Sequence, residues 1–139
     1  MPAAPAVTAL QADRAGALDL QIQTVRKRYG AFAAVDDLSF GVRQGSFFSI
    51  LGPSGCGKTT LLNIISGLVT PTHGRVRFNG DDVTGLPTEQ RNIAQVFQFP
   101  VIYDTMTVAE NLAFPLRNRG VAPERIRQRV GQVAEMLEM

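Results

Sequence analysis

Three observations predict an α/β fold. Two segments in the first half alternate apolar and polar residues, a continuous apolar run is interrupted by a glycine-rich loop and resumed at helical spacing, and two further helical patterns follow. The length of 139 residues suits one domain. Hydrophobic residues make up 45% and charged residues 19%, a balance that supports a packed core rather than a disordered chain.

Residues 1–17 are rich in alanine and proline and show no periodicity, so they read as a flexible leader, with a domain over 18–139. Leu18, Leu20 and Ile22 alternate with polar residues, which predicts a half-buried strand. Val35, Leu38, Phe40 and Val42 repeat that signal before Gln44 and Gly45 close it. The run from Ser46 to Leu51 is short and continuously apolar, as expected of a buried strand.

Beyond the glycine loop, Thr59 to Leu68 reads as a helix with Leu61, Leu62, Ile65 and Leu68 on its inner face. Thr70 to Gly74 is turn chemistry, Arg75 to Phe78 a short strand ending at an Asn79-Gly80 turn, and Asn92 to Phe99 holds a further strand candidate. Thr107 to Arg117 predicts a helix with a capping box, Thr107 at the N-cap and Glu110 three residues on. Pro115 should kink or end it, because its nitrogen cannot donate to the preceding turn. Pro123 opens the last helix at a favoured position, and Ile126, Val130, Val133 and Leu137 form an apolar stripe along it.

The loop itself, Gly52, Pro53, Ser54, Gly55, Cys56, Gly57, Lys58, Thr59, satisfies G-x-x-x-x-G-K-[ST], with Thr60 following. Glycines lack Cβ atoms, so consecutive N–H groups can turn inward around phosphate oxygens. The helix that starts near Lys58 adds unpaired N–H groups and the positive end of its dipole. Lys58 can reach β- and γ-phosphates, and the Thr59 hydroxyl is an oxygen ligand suited to Mg²⁺. These residues point to a nucleoside triphosphate.

Other residues carry less. Cys56 is the only cysteine, so no disulfide can form within the chain and a reducing compartment is expected. His73 has no second His or Cys nearby with which to hold a metal. The net charge is only +2, and the cluster Arg26, Lys27, Arg28 reads as a solvated strand edge, so no nucleic-acid partner is expected. The first residues lack a basic start and apolar h-region, and no run approaches the ~18 apolar residues of a membrane span.

Taken with their order and spacing, the segments from Gly52 to Leu68, Pro71 to Gln98 and Met106 to Gly120 resemble ATP-binding subunits of ABC transporters, most of all the importers of sugars, polyols and glycerol phosphate. The resemblance implies a P-loop NTPase fold with N-terminal antiparallel strands, a parallel core and the start of a helical subdomain. It implies ATP and Mg²⁺ as ligands, transmembrane permease subunits and a second ATP-binding subunit as partners, and a cytoplasmic position at the inner face of the membrane. By the same resemblance, Tyr29 stacks on adenine and Gln98 reaches Mg²⁺ or the attacking water. The segment from Phe99 to Met106 departs from the sugar-importer pattern at the place where the family meets its permease.

The resemblance also places the family's signature, its catalytic Glu and its switch His beyond Met139. The sequence is therefore expected to be about the front half of a nucleotide-binding domain, weak or inactive as an ATPase by itself. A naturally short, non-hydrolysing nucleotide-binding or interaction module is the alternative. The Asn-Lys-x-Asp motif required by GTPases does not occur.

Overall fold

In a computed structural model, which describes residues 8–10, 18–99 and 101–138, the chain divides into two compact units, residues 1–95 and 96–139.

The first unit is built on a four-stranded antiparallel sheet. Strands β2 (Leu18–Tyr29) and β3 (Phe32–Arg43) form a long hairpin, and β5 (His73–Phe78) pairs with the other edge of β2, followed by the two-residue β6 (Asp81–Asp82). The alternation that predicted β2 and β3 has its expected cause. Ile22 lies opposite both Phe40 on β3 and Val76 on β5, and Ile22 and Val76 are fully buried. The Asn79-Gly80 turn joins β5 to β6, both residues taking the positive φ that this turn chemistry favours.

Helix α1 (Lys58–Ser66) covers the apolar face. Leu61 and Ile64 enter a core with Ile22, Val25, Val35, Val76 and Val83. The inner face differs from the sequence expectation: Ile64 is buried, whereas Leu62 and Leu68 are about half exposed. Leu61 and Ile64 sit three apart on the side that meets the sheet, and Gly67 ends the helix in a left-handed conformation before Leu68 can join it.

The apolar run before the loop contains strand β4, restricted to Ser49–Leu51. Its strand partner among the described residues is β1 (Thr8–Leu10), in antiparallel register with Thr8 opposite Leu51. Those three residues fall inside the stretch read as a leader; the rest of that stretch lies outside the described residues. The parallel core implied by the resemblance has no counterpart here, because every pairing among the described residues is antiparallel. Phe47, two residues before β4, stands 90% exposed, an uncovered apolar side chain. The strand expected within Asn92 to Phe99 does not form. Without a partner its main-chain groups gain nothing from extension, and Val96 is 97% exposed.

The second unit holds α2 (Val108–Asn118) and α3 (Pro123–Met136), which pack on each other. The capping box is complete: the Thr107 hydroxyl accepts from the Glu110 amide, and the Glu110 carboxylate accepts from the Thr107 amide at 2.8 Å. Of the two outcomes expected for Pro115, a kink or an end, the end does not occur: Pro115 lies inside α2, gives up one intrahelical bond, and the helix runs on to Asn118. On α3 the predicted stripe is graded, with Ile126 buried, Val130 and Val133 half-buried and Leu137 exposed.

The capping box has a testable electrostatic signature. Hydrogen bonds from the Thr107 amide and hydroxyl hold the Glu110 carboxyl below the ordinary glutamate range. A carboxyl depressed by folding stabilises the native state above its unfolded pKa, and that contribution disappears as pH falls through the lowered value. Carbon-detected NMR titration should place Glu110 below a free glutamate, and Thr107→Ala, which removes the hydroxyl but keeps the amide, should raise it part of the way back. A midpoint unchanged by Thr107→Ala would remove the hydroxyl as a cause.

Candidate functional site

The glycine loop lies between β4 and α1, and its shape follows from two main-chain requirements. Gly55 and Gly57 take φ of +78° and +94°, a region that side-chain-bearing residues enter only with strain. Gly57 is the N-cap of α1 and supplies no capping side chain, so no side-chain acceptor is bonded to the first amides of the helix. A Cβ built on Gly57 would stand 2.0 Å from the carbonyl oxygen of Ala34, so the loop can seat against β3 only with glycine there.

Lys58 ties the loop to itself. Its Nζ donates to the carbonyl oxygens of Gly52 and Pro53, both at 2.7 Å, and approaches Cys56 Sγ at 3.4 Å. The ammonium therefore sits across the loop from the helix start, only half-buried, with a positive charge fixed where the chain curls. Cys56 is buried beneath it, 4% exposed, and fills the space beside Gly52. Thr59 is exposed and Thr60 half-buried. Ser54 and Pro53 form the exposed outer rim.

Tyr29 ends β2 at the hairpin tip, paired with Phe32 across the Gly30-Ala31 turn. Phe32 lies two residues from Ala34, the contact point for Gly57, which is roughly 6–7 Å along an extended strand. The hairpin thus brings the aromatic tip and the glycine loop to the same end of the first unit. The Tyr29 ring is 51% exposed, and Lys27 Nζ lies 5.1 Å from its centroid while also donating to Thr70 O. Gln98 is exposed and belongs to the second unit, so these observations group Tyr29 and residues 52–60 but not Gln98. Among the described residues no cluster of three or more His, Cys, Asp or Glu could hold a metal ion.

Two contributors escape sequence reading. Ala34 acts through a carbonyl oxygen, for which no side-chain signal exists. Arg91 is 5% exposed and spends its guanidinium on main-chain oxygens: Nη1 donates to Ile64 O and Ile65 O at the end of α1, Nε to Leu86 O and Nη2 to Thr84 O. Desolvation pushes its pKa down from the ordinary arginine value, and its charge sits at the negative end of the helix dipole. The only sequence signal would have been a cation some distance downstream of the helix it caps, and nothing in the spacing identifies that pairing.

In the second unit, Asn111 organises the segment before α2. Its Oδ1 accepts from the Tyr103 amide, and its Nδ2 donates to the carbonyls of Tyr103, Met106 and Thr107. Tyr103 rests on Phe114 with ring centroids 4.6 Å apart. Phe99, Val101 and Ile102 are each at least 70% exposed.

The sequence pattern of the ABC transporter family matches residues 35–139, which includes the loop, Arg91 and both helices of the second unit. The chain belongs to the ABC transporter family. A spermidine/putrescine import ATP-binding protein of Nitrosospira multiformis is 45% identical over 120 residues, covering 86% of this chain and 33% of that protein. One of the same name from Thermobifida fusca is 43% identical, covering 99% of this chain and 37% of that protein. A molybdate/tungstate import ATP-binding protein of Pyrococcus horikoshii is 42% identical, covering 85% and 34%. The chain thus spans about a third of the length of these curated relatives.

Among solved structures, a dimeric ATP-binding cassette bound to ADP and Pi superposes with a TM-score of 0.71 at 28% identity, covering 86% of this chain and 57% of that one. An ATP-binding cassette of an ABC transporter gives 0.67 at 30% identity, covering 87% and 53%. The ABC nucleotide-binding fold agrees with the resemblance, and these relatives are named as import ATP-binding proteins. The named solutes do not agree with it: these relatives are named for polyamines and oxyanions, not for sugars, polyols or glycerol phosphate.

Proposed function

We propose that residues Gly52 to Thr60 bind the phosphates of ATP and that the chain serves an ATP-binding subunit of an ABC importer. The observation that carries this is the Lys58 ammonium, fixed at 2.7 Å from two loop carbonyls opposite a helix start that no side chain caps. The donor set fits a polyphosphate, since a cation and the uncapped amides of α1 converge on one concave loop. Lys58 would donate to β- and γ-phosphate oxygens, Thr59 would offer its hydroxyl to Mg²⁺, and Tyr29 would cover the adenine from the hairpin tip. Gln98 would supply an amide oxygen to the metal or to water. ATP, when bound with Mg²⁺, supplies the phosphoanhydride bond whose cleavage drives transport, and this chain's part is binding and orientation.

The decisive experiment is equilibrium binding of a fluorescent ATP analogue in the presence of Mg²⁺. With charged hydrogen bonds each contributing about 1.5–3 kcal/mol, Lys58→Ala should weaken binding by about tenfold to more than a hundredfold. Equal affinity in the two proteins would remove the loop from the site.

The names of the relatives support a polyamine as the solute, with permease subunits and a second ATP-binding subunit as partners at the inner face of the membrane. Among the described residues no helix is long and apolar enough to cross a membrane, so translocation is assigned to the permease. Uptake of radiolabelled spermidine should fall in cells that carry Lys58→Ala in this subunit. Unchanged spermidine uptake with reduced molybdate uptake would transfer the assignment to oxyanions.

A further inference from the structure

We propose that Lys27 is a positioning residue for Tyr29, holding the ring so that the face turned from Lys27 receives adenine; this rests on the nucleotide-binding reading above. The cluster Arg26, Lys27, Arg28 is not uniformly solvated: Arg26 and Arg28 are exposed, whereas Lys27 is half-buried. Residues two apart on a strand share a face, which puts Lys27 beside Tyr29 at the end of β2. Lys27 Nζ lies over the Tyr29 ring, 5.1 Å from its centroid, within reach of the electron-rich face. Among the described residues neither a hydrogen bond nor a second aromatic ring holds Tyr29.

The ammonium is itself anchored away from the hairpin tip. It donates to Thr70 O at 2.8 Å, on the segment that follows α1. Two further bonds fasten that segment to the same stretch of β2. The Thr72 amide donates to Arg26 O at 2.8 Å, and the Thr72 hydroxyl accepts from the Arg28 amide at 3.1 Å. Tyr29 is half exposed at the edge of a two-residue turn, so an unheld ring would sample several rotamers. A cation fixed over one face selects among them and leaves the other face for a base. It also draws π density to its own side, which lowers repulsion between the ring and a stacked adenine.

The test compares Lys27→Met, which keeps the apolar stem but not the charge, with Lys27→Arg, which keeps both. Displacement of a ribose-labelled fluorescent ATP analogue, with Mg²⁺ present, measures affinity for ATP and for inorganic tripolyphosphate. ATP affinity should fall about two- to fivefold in Lys27→Met, and Lys27→Arg should restore most of it. Tripolyphosphate, which has no base, should bind the parent and both variants equally. Tyr29→Ala should weaken ATP binding by about fivefold to more than a hundredfold. Adding Lys27→Met to that variant should cost nothing more, because the two residues act as one unit. The chain holds two tyrosines, so the Tyr29 ring can be followed by NMR, and its resonances should move in Lys27→Met without nucleotide.

A loss shared equally by ATP and tripolyphosphate overturns the proposal, since Lys27 would then act on the phosphates or on the fold. So do additive losses in the double variant, and so does a Tyr29 ring that Lys27→Met leaves unmoved. If Lys58→Ala leaves ATP affinity unchanged, the nucleotide reading fails by itself, and the ring spectrum alone then decides whether Lys27 holds Tyr29.

Discussion

Gly57→Ala should destabilise the first unit by about 3 kcal/mol and abolish tight nucleotide binding. Two costs add. A Cβ-bearing residue at φ +94° enters the left-handed region, which costs about 1–2 kcal/mol. The new methyl would also stand 2.0 Å from Ala34 O and 3.6 Å from Val35 Cγ2. The first of those neighbours is main chain inside a paired strand and cannot rotate away, so the loop or β3 must shift, at about 1–3 kcal/mol. Urea denaturation would read the stability change, and titration with the ATP analogue would read the loss of affinity. A variant as stable and as tight as the parent would show that the loop does not seat on β3.

Arg91→Ala should be comparably damaging to stability while leaving the loop's own chemistry in place. The substitution removes the side-chain donors to the carbonyls of Ile65, Leu86 and Thr84, and one of two donors to Ile64 O, which also accepts from the Gly67 amide. Leaving a buried acceptor unsatisfied costs about 1–3 kcal/mol, so the loss should be at least of that order. Lysine can place one ammonium but not a planar fork toward four oxygens, so Arg91→Lys should recover only part of the loss. The check is the order of urea midpoints, parent above Arg91→Lys above Arg91→Ala. A lysine variant equal to the parent would mean that the charge matters and the fork does not.

The sequence was most legible where local chemistry and tertiary structure ask for the same thing. Alternation at Leu20 and Ile22 reports packing against one sheet face, and Thr107 with Glu110 reports a helix start. The glycines of the loop report positive φ at Gly55 and Gly57, because no other residue enters that region so readily. Legibility ended where a residue's state depends on a distant partner. The stretch from Asn92 to Phe99 has the apolar content of a strand, but no ladder is available to it among the described residues. Thr8–Leu10 is too short to show periodicity, and its pairing with β4 can be read only in three dimensions. The candidate loop was visible residue by residue, whereas the Ala34 carbonyl that seats it and the Arg91 guanidinium behind it were not.

Helix α1 is held at both ends by groups from elsewhere in the first unit. Ala34 O abuts Gly57 at its start, and Arg91 grips Ile64 and Ile65 at its end. Nine residues of α-helix form a rod about 13 Å long. The same guanidinium that grips the end of the rod also holds Leu86 O and Thr84 O, so α1 is a strut anchored on strand β3 at the loop end and on those turns at the other.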